Sequence, residues 1–289
     1  MTSALSRWLQ TPAVVLLFLW MAVPLGMTLY FSIIRYHLLY PERSGFVGAD
    51  NYTFFITDPA FPVALLNTVV LVGSILFLTV GLGLVLAQLV HRPFWGRGIV
   101  RVMLISPFFI MPTVNALLWK NMFMNPVYGL FALAGGAFGL EPIDWLADVP
   151  LFSLILMLSW QWTPFAFLVF MTSLQSQDQE QLEAAELDGA GPWHRFIYLT
   201  LPHLARAIAV VVMIQTIFHL SIFAEIFVTT SGGPGFDSTN LAFLIFSQSL
   251  LQYDVGVASA GGVLAIVLAN IVAIFLIRMV GKNLVVSAS

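Results

Sequence analysis

Polar side chains interrupt several strongly apolar stretches of this sequence, and they are the groups that could do chemistry. Amides, a hydroxyl, an imidazole and a carboxylate can hydrogen-bond a hydroxylated ligand, and an indole can cover its apolar face. Neutral sugars and polyols suit such a set. The alternative role is hydrogen bonding between helices, which stabilises a bundle. The candidate residues are Asn115, Trp160, Gln161, Thr163, Gln215, His219, Glu225 and Asn270.

No pattern of catalytic or metal-binding residues accompanies these groups. The chain has no cysteine, which excludes disulfides, thiolate zinc sites and cysteine nucleophiles. The five histidines scatter along the chain without H-E-x-x-H spacing, and the phosphate loop G-x-x-x-x-G-K-[ST] is absent. His219 lies six positions before Glu225, so the two do not share a helix face. The sequence therefore predicts no enzyme, no metal site and no bound cofactor.

The composition points to lipid as the solvent of this chain. Of the 289 residues, 60% are hydrophobic and 9% are charged, whereas soluble domains carry about 25% charged residues. A water-exposed surface cannot be built from so few charges. A net charge of -3 with 11 basic residues also leaves no basic patch for nucleic acid.

Long uncharged stretches predict an all-α membrane protein with six transmembrane helices. A spanning helix needs about 20 residues, and lipid-exposed backbone must satisfy its own hydrogen bonds. A seventh uncharged stretch, 121–140, is rich in glycine, proline and asparagine and is predicted to be an interfacial loop with one short helix. Without a linker to a soluble region, 1–289 is predicted to form one transmembrane domain. The six stretches are 8–34, 59–91, 102–119, 149–177, 207–224 and 255–277.

The distribution of lysine and arginine predicts that both termini are cytoplasmic. With six spans, eight of the 11 basic residues fall inside and three fall outside. A seventh span over 121–140 would instead place seven of them outside and four inside. The inside residues are Arg7, Arg92, Arg97, Arg101, Arg195, Arg206, Arg278 and Lys282, and the outside residues are Arg35, Arg43 and Lys120.

The longest inner segment, 174–206, is also the most polar part of the chain. Within it, residues 183–202 read EAAELDGAGPWHRFIYLTLP. Glu183–Glu186 favour helix, Gly189, Gly191 and Pro192 break it, and Arg195–Leu199 can resume a short helix. The pattern predicts two short helices that meet at a small-residue corner, or on a plainer interpretation a solvated loop with a capped helix.

The spacing in this segment resembles the EAA loop of binding-protein-dependent ABC importers. The similarity rests on Glu183-Ala184-Ala185, Gly189, Leu199 and Leu201-Pro202, with Leu199 where the family usually has isoleucine. Other segments are similar to maltose-type sugar permeases, and 223–230 leans toward the sorbitol and mannitol members. Those other segments are 46–52, 67–68, 106–107, Trp119, 125–129, 145–147 and 230–234.

The resemblance implies a membrane permease subunit with the type I importer fold, in a bacterial inner membrane. It implies a second permease subunit, in that family often an unlike one, two ATPase subunits that bind the ATP, and a periplasmic or extracellular substrate-binding protein. The cargo would be a sugar or polyol. The inner segment would couple to the ATPase through Glu183, Ala184, Ala185, Asp188 and Gly189, while Leu201 and Pro202 would set the exit angle into span five.

Three alternatives compete with this interpretation. A secondary transporter driven by an ion gradient would place paired charges in mid-membrane, and this sequence has almost none there. An intramembrane enzyme lacks a catalytic constellation, and a structural anchor leaves the polar inner segment unexplained. Two further expectations concern local structure: Pro107 and Pro112 are hinge candidates in span three, and 232–235 is predicted to be a flexible outer turn.

Overall fold

The computed structural model describes the backbone of residues 2–286 and the side chains of residues 9–278. Arg7 and Lys282, which entered the charge count, lie outside the described side chains. The described chain is mostly helical and has one two-stranded antiparallel hairpin, β1 (Ile34–Arg35) with β2 (Gly45–Phe46). The helices are α1 (Thr2–Ser32), α2 (Asp50–Thr57), α3 (Ala60–His91), α4 (Arg97–Ile105), α5 (Pro112–Leu118), α6 (Leu130–Ala137), α7 (Trp145–Asp148), α8 (Pro150–Gln175), α9 (Gln179–Leu187), α10 (Pro192–Arg195), α11 (Leu201–His219), α12 (Ala224–Thr229), α13 (Leu241–Phe246) and α14 (Val255–Val286).

Five helical segments in the described range are long and apolar enough to cross a membrane, and a sixth span is broken in the middle. The broken span consists of Arg97–Phe109 and Pro112–Phe123, which meet at 104°. Counting this pair once gives the six predicted spans, so the expected all-α membrane architecture is confirmed. The fifth span runs over Pro192–His219, and it therefore ends five residues before the predicted boundary at 224. The stretch 121–140 contains the one short helix expected of it, α6.

Wide π-helical turns interrupt three of the helical runs. They cover Trp119–Phe123 after α5, Phe196–Thr200 between α10 and α11, and Ser247–Leu251 after α13. A π turn carries one more residue than an α turn and leaves the flanking helix otherwise regular.

The described chain divides into two compact units. The first contains the residues up to Pro62 together with Leu244–Leu268. Inside it, the Asn51 side chain donates to the backbone oxygens of Ser32 (3.0 Å) and Ile34 (2.8 Å), which fixes α2 at the end of α1. Gln248 donates to the Asp58 carboxylate at 3.0 Å. The prediction of one transmembrane domain over 1–289 stays a prediction.

The second unit contains Val63–Phe243 and the residues from Ala269 onward, and α8 lies at its centre. The middle and end of α8 pack against α3 and α11 through a buried apolar cluster. At Gly83 the helices α3 and α8 approach so closely that a β-carbon would lie 2.8 Å from that of Ala166. Small residues permit such close helix packing in lipid, where no hydrophobic effect drives helices together. The buried members of the cluster are Ala87, Val90, Ala166, Phe167, Phe170, Met171, Leu174, Leu204 and Val211.

Hydrogen bonds hold the outer turn that the sequence predicted to be flexible. The amide of Asn67 on α3 donates to three backbone oxygens, those of Phe236 (3.0 Å), Asp237 (3.1 Å) and Thr239 (3.0 Å). The Thr239 hydroxyl also donates to the oxygen of Gly232 at 2.9 Å. The turn around 232–239 is thus tied to α3 and to itself.

Candidate functional site

The break in the third span leaves a backbone carbonyl that α8 satisfies. The helical run ends in a 3-10 turn, Ser106–Phe109, and α5 restarts with Pro112 in its first turn. Gln161 on α8 donates from Nε2 to the Ile110 oxygen at 2.7 Å. Asn115 donates from Nδ2 to Gln161 Oε1 at 2.8 Å. Since irregular backbone survives at membrane depth only where protein or water satisfies it, this pair holds the bend.

A second break follows α11. After His219 the chain turns and resumes as α12, which packs against α5. Lys120 donates from Nζ to the oxygens of Val228 (3.0 Å) and Thr229 (3.1 Å) at the end of α12. A cation is favourable there because unpaired carbonyls give a helix C-terminus a partial negative charge. Glu225 stands on α12, beyond the end of the fifth spanning helix.

A cavity of about 550 Å³ lies between the two breaks. This volume is within the usual range of small-molecule sites, ~300–1,000 Å³. Its wall is mostly aromatic and aliphatic, with a few polar groups. Glu225 is buried in the protein and lines the cavity, and it takes part in no ion pair among the described side chains. The lining residues are Phe108, Ile110, Pro112, Gln161, Trp162, Phe165, Ile214, Phe218, Ser221, Ile222, Phe223, Ala224 and Glu225.

The structure brings some of the predicted ligand residues together at this cavity. Gln161 and Glu225 line it. Asn115 is fully buried behind Gln161, which it hydrogen-bonds. The lining indole belongs to Trp162, whereas Trp160 packs its ring against Trp119 with centroids 5.7 Å apart.

The other predicted residues stabilise the helices or lie elsewhere. Thr163 donates to the Ser159 oxygen of its own helix at 2.6 Å. Gln215 accepts from Thr79 at 2.7 Å and donates to the Trp162 oxygen at 3.3 Å, which links three helices. Asn270 is an exposed residue of α14 and does not line this cavity.

His219 is fully buried beside the cavity wall, although it does not line the cavity. Its ring meets that of Trp162 edge to face with centroids 4.9 Å apart. Neither of its ring nitrogens has a hydrogen-bond partner among the described residues.

Sequence reasoning missed the aromatic wall of the cavity. Phe108, Phe165 and Phe218 each line it, and Phe108 stacks on Phe165 with centroids 5.8 Å apart. A signal existed for part of this wall, since Phe165 follows Gln161 by four positions and so shares its helix face. Phe108 lies just after Pro107, inside the turn that ends the first half of the broken span.

The inner segment 174–206 forms the first predicted short helix as α9, whereas the second, α10, runs on without a break into the fifth span, Pro192–His219. Asp178 caps α9 by accepting from the Glu180 amide at 2.9 Å, and α10 begins with Pro192. Gly189 forms the corner with φ +84°, a conformation that glycine adopts without the strain other residues suffer. Its amide and that of Ala190 donate to the oxygens of Glu186 (3.0 Å) and Ala185 (2.9 Å), as at a typical glycine-ended helix.

The surface of this elbow, residues 178–195, is exposed and largely of small or acidic residues. Glu183, Ala184, Asp188 and Gly189 are exposed, and Ala185 is half-buried. Leu187, at the end of α9, is 89% exposed in this otherwise polar segment. Arg195 forms an ion pair with Glu186 that joins the two short helices.

The base of the elbow is fastened to the spans on either side. Gln177, just after α8, donates to the Thr200 hydroxyl at 3.2 Å. The His203 ring lies 2.9 Å from the Ser173 oxygen, which links α11 back to α8. Leu201 and Pro202 begin α11 and directly follow the π turn, so they stand where the elbow passes into the span.

Comparison with known proteins gives consistent matches over most of the chain. Residues 79–286 match the family described as binding-protein-dependent transport system inner membrane component. The probable ABC transporter permease protein y4oQ of Sinorhizobium fredii is 33% identical over 255 residues, 88% of this chain and 82% of the relative. The trehalose/maltose transport system permease protein MalF of Thermococcus litoralis is 31% identical over 259 residues, 89% of this chain and 87% of the relative.

The fold is also that of a solved transporter. A crystal structure of a bacterial alginate ABC transporter, in complex with its alginate pentasaccharide-bound periplasmic protein, superposes with a TM-score of 0.78 at 22% identity. The match covers 95% of this chain and 94% of that chain.

Proposed function

This chain belongs to the family of inner membrane components of binding-protein-dependent transport systems, and from that premise we propose that it passes a neutral sugar or polyol through the cavity between its two helix breaks. It is the transmembrane subunit of an ATP-driven importer, has the type I permease fold, and works with a substrate-binding protein. Family membership favours ATP-driven import over the ion-gradient alternative. The subunit is not itself an enzyme.

The composition of the cavity wall carries the cargo proposal. Flat aromatic rings of Phe108, Trp162 and Phe165 can cover the apolar faces of a sugar ring. Gln161 and Glu225 supply acceptors for hydroxyl groups, and an amide also donates. Discontinuous helices are typical of substrate sites inside transporters, because their freed backbone and convergent polar groups line a cavity.

The elbow supports a proposal for how ATP hydrolysis drives transport. Two ATPase subunits would bind elbows of this kind, with Glu183, Ala184, Ala185, Asp188 and Gly189 in the contact. Movement of the elbow would pass through its fastened base into α8 and α11, which pack on each other and both line the cavity. ATP would thereby bias a two-state bundle between inward and outward access.

The remaining partners belong to the same proposal. A second permease subunit, different from this one, would complete the pathway in a bacterial inner membrane. The relative from Thermococcus litoralis is named for trehalose and maltose, which supports a sugar cargo. The expectation that the cargo is sorbitol or mannitol rests on residues 223–230 alone.

A matched pair of phenylalanine substitutions tests the cavity. Phe108 lines it, whereas its neighbour Phe109 is 76% exposed and does not. Phe108→Leu keeps the apolar character of the side chain but removes its flat aromatic face. The KM for uptake should therefore rise by about fivefold, which corresponds to the free energy that one aromatic contact contributes to binding.

The experiment uses the complete transporter in proteoliposomes with ATP, and it screens trehalose, maltose, sorbitol and mannitol. Phe109→Leu should leave the KM unchanged. Equal KM values for Phe108→Leu and the unchanged protein, with a cargo that is transported, would show that the cargo does not use this cavity.

A further inference from the structure

Four buried hydrogen-bond donors near the end of α3 and in α4 have no acceptor among the described residues. They are Gln88 Nε2, His91 Nδ1 (in one tautomer), Arg97 Nε and Arg101 Nε. Gln88 and His91 are three positions apart on α3, and Arg97 and Arg101 are four apart on α4, so each pair shares one helix face. Buried polar groups are normally hydrogen-bonded, so these unpaired donors mark a region whose polar and positive groups the described residues leave unbalanced.

Packing brings the two pairs together. Val100 and Leu104 of α4 pack against the apolar cluster that contains Val90 of α3. The charges of Arg97 and Arg101 act on the His91 ring. Arg101 reaches Met171 on α8 with Nη2 3.5 Å from the sulfur, but a thioether is only a weak acceptor.

Among the described side chains, no aspartate or glutamate forms an ion pair with Arg97 or Arg101. The sequence has no aspartate or glutamate between Asp58 and Glu141. Among the described side chains the ion pair found is Arg195 with Glu186, far along the sequence from these arginines. Adjacent cations that lack a counter-ion repel each other, so an external anion would stabilise this part of the protein.

The surroundings of the cluster indicate what kind of anion it takes. Trp95, in the loop between α3 and α4, is 97% exposed. The exposed residues of α4 include Ile99, Val102 and Met103. An exposed tryptophan and a short helix with basic and apolar residues are typical of the boundary between lipid and water.

We propose that Arg97 and Arg101 bind the phosphate of an anionic phospholipid in the cytoplasmic leaflet. Guanidinium groups match phosphate with two parallel hydrogen bonds, which an amine cannot do. The charge distribution predicts that this loop is cytoplasmic, and the cytoplasmic leaflet carries anionic lipid that basic residues attract. The exposed apolar residues of α4 would lie against the acyl chains of the same lipid.

Native mass spectrometry of the purified full-length permease, with phosphatidylglycerol or phosphatidylcholine added, tests this site. The unchanged protein should retain phosphatidylglycerol in preference to phosphatidylcholine. Arg97→Gln and Arg101→Gln should each lower that retention by about fivefold, the effect expected from the loss of one specific hydrogen bond to the phosphate. Arg101→Lys keeps the charge but loses the guanidinium group that makes two parallel hydrogen bonds. It should therefore lower retention by less than Arg101→Gln does.

Arg92→Gln is the matched control, because Arg92 is an exposed residue of the same loop with no unpaired buried atom. It should retain phosphatidylglycerol as the unchanged protein does. An equal loss in Arg92→Gln and Arg97→Gln would mean general surface attraction and would overturn the site. Displacement of the lipid by inorganic phosphate, at ionic strength matched with chloride, would identify a soluble anion as the ligand and would also overturn it.

A contact with an acidic partner protein predicts a different result. If Arg97→Gln released the ATPase subunits from the assembled transporter while lipid retention stayed unchanged, the cluster would be a protein interface and the lipid proposal would be wrong. If the lipid is lost and the ATPase subunits remain bound, the proposal is supported.

Discussion

Glu225 is the acidic side chain in the wall of this cavity. It is buried, it lines the cavity, and no cation pairs with it among the described side chains. A carboxyl group there can hydrogen-bond hydroxyl groups, and whenever it is ionised it repels anions. One side chain can thus select for neutral cargo in two ways, by attraction of the right solute and by repulsion of the wrong one.

Glu225→Gln should therefore weaken the binding of neutral sugar and relax the rejection of charged sugar. Replacing the carboxyl group with an amide disturbs its hydrogen bonds to the hydroxyl groups of the cargo at about 1 kcal/mol per bond, so the KM for the neutral cargo should rise by about fivefold. Uptake of the corresponding sugar phosphate, relative to the neutral sugar, should increase. Both are measured as uptake by the complete transporter.

Glu42→Gln serves as the control, because Glu42 is an exposed carboxylate in the short helix Pro41–Arg43. Glu42→Gln should change neither the KM for the neutral sugar nor the uptake of sugar phosphate relative to neutral sugar. Should Glu225→Gln also leave the ratio of the two uptake rates unchanged, the carboxylate would have no part in selection.

The broken third span depends on side chains that another helix supplies. Gln161 of α8 satisfies the Ile110 oxygen and accepts from Asn115, and so it joins both sides of the bend to one neighbour. An unbroken helix needs no such partner. The bend is consequently a tertiary feature, although prolines mark its position in the sequence.

Gln161→Leu should destabilise the permease markedly. It leaves the Ile110 oxygen and the Asn115 amide buried without partners, and each loss costs ~1–3 kcal/mol. The temperature of thermal unfolding in detergent should fall by several degrees. Thr172→Val on the same helix should leave it unchanged, because the Thr172 hydroxyl is exposed and its hydrogen bond within the described residues goes to the Leu168 oxygen of α8 itself. Equal unfolding temperatures for both variants would contradict this role of Gln161.

At the scale of the whole molecule, the elbow and the cavity are joined by one continuous structure. Gln177 and His203 fasten the elbow to α8 and α11, and those helices supply Trp162 and Phe218 to the cavity wall. A force on the elbow can therefore reach the cavity through packed helices without a flexible linker.

Gly189→Pro and Glu183→Lys should uncouple ATP hydrolysis from uptake while the protein still inserts into the membrane. Proline cannot adopt φ +84° and removes the amide that donates to Glu186. Lysine at 183 reverses the charge of an exposed residue in the proposed ATPase contact. Uptake by the complete transporter in membrane vesicles should drop at least tenfold relative to the ATP hydrolysed.

Gln181→Lys places the same new cation on α9, at an exposed position on a different face from Glu183. Its ratio of uptake to hydrolysis should stay close to that of the unchanged protein. Normal coupling in both Gly189→Pro and Glu183→Lys would refute the proposed part of the elbow.

The sequence predicted the features that depend on local patterns. The apolar stretches indicated the spans, and the spacing from Glu183 to Pro202 indicated two short helices around Gly189. The cavity could not be predicted in the same way, because its wall joins residues more than one hundred positions apart, such as Phe108 and Phe218. The types of the polar residues did not reveal which ones line a cavity and which instead bond helix backbone or a neighbouring helix, as Thr163 and Gln215 do.

The π turn at Phe196–Thr200 has a consequence for how this chain tolerates changes of length. It takes up one surplus residue between the elbow and α11 without rotating the helix that follows. If the chain were one residue shorter there, the π turn could form ordinary α-helix. The face of α11 that carries Gln215 would then still point toward α8. Related chains that differ by a single insertion or deletion should accumulate the difference at this turn, because one residue more or less within the regular helices would swing every later side chain by about 100°.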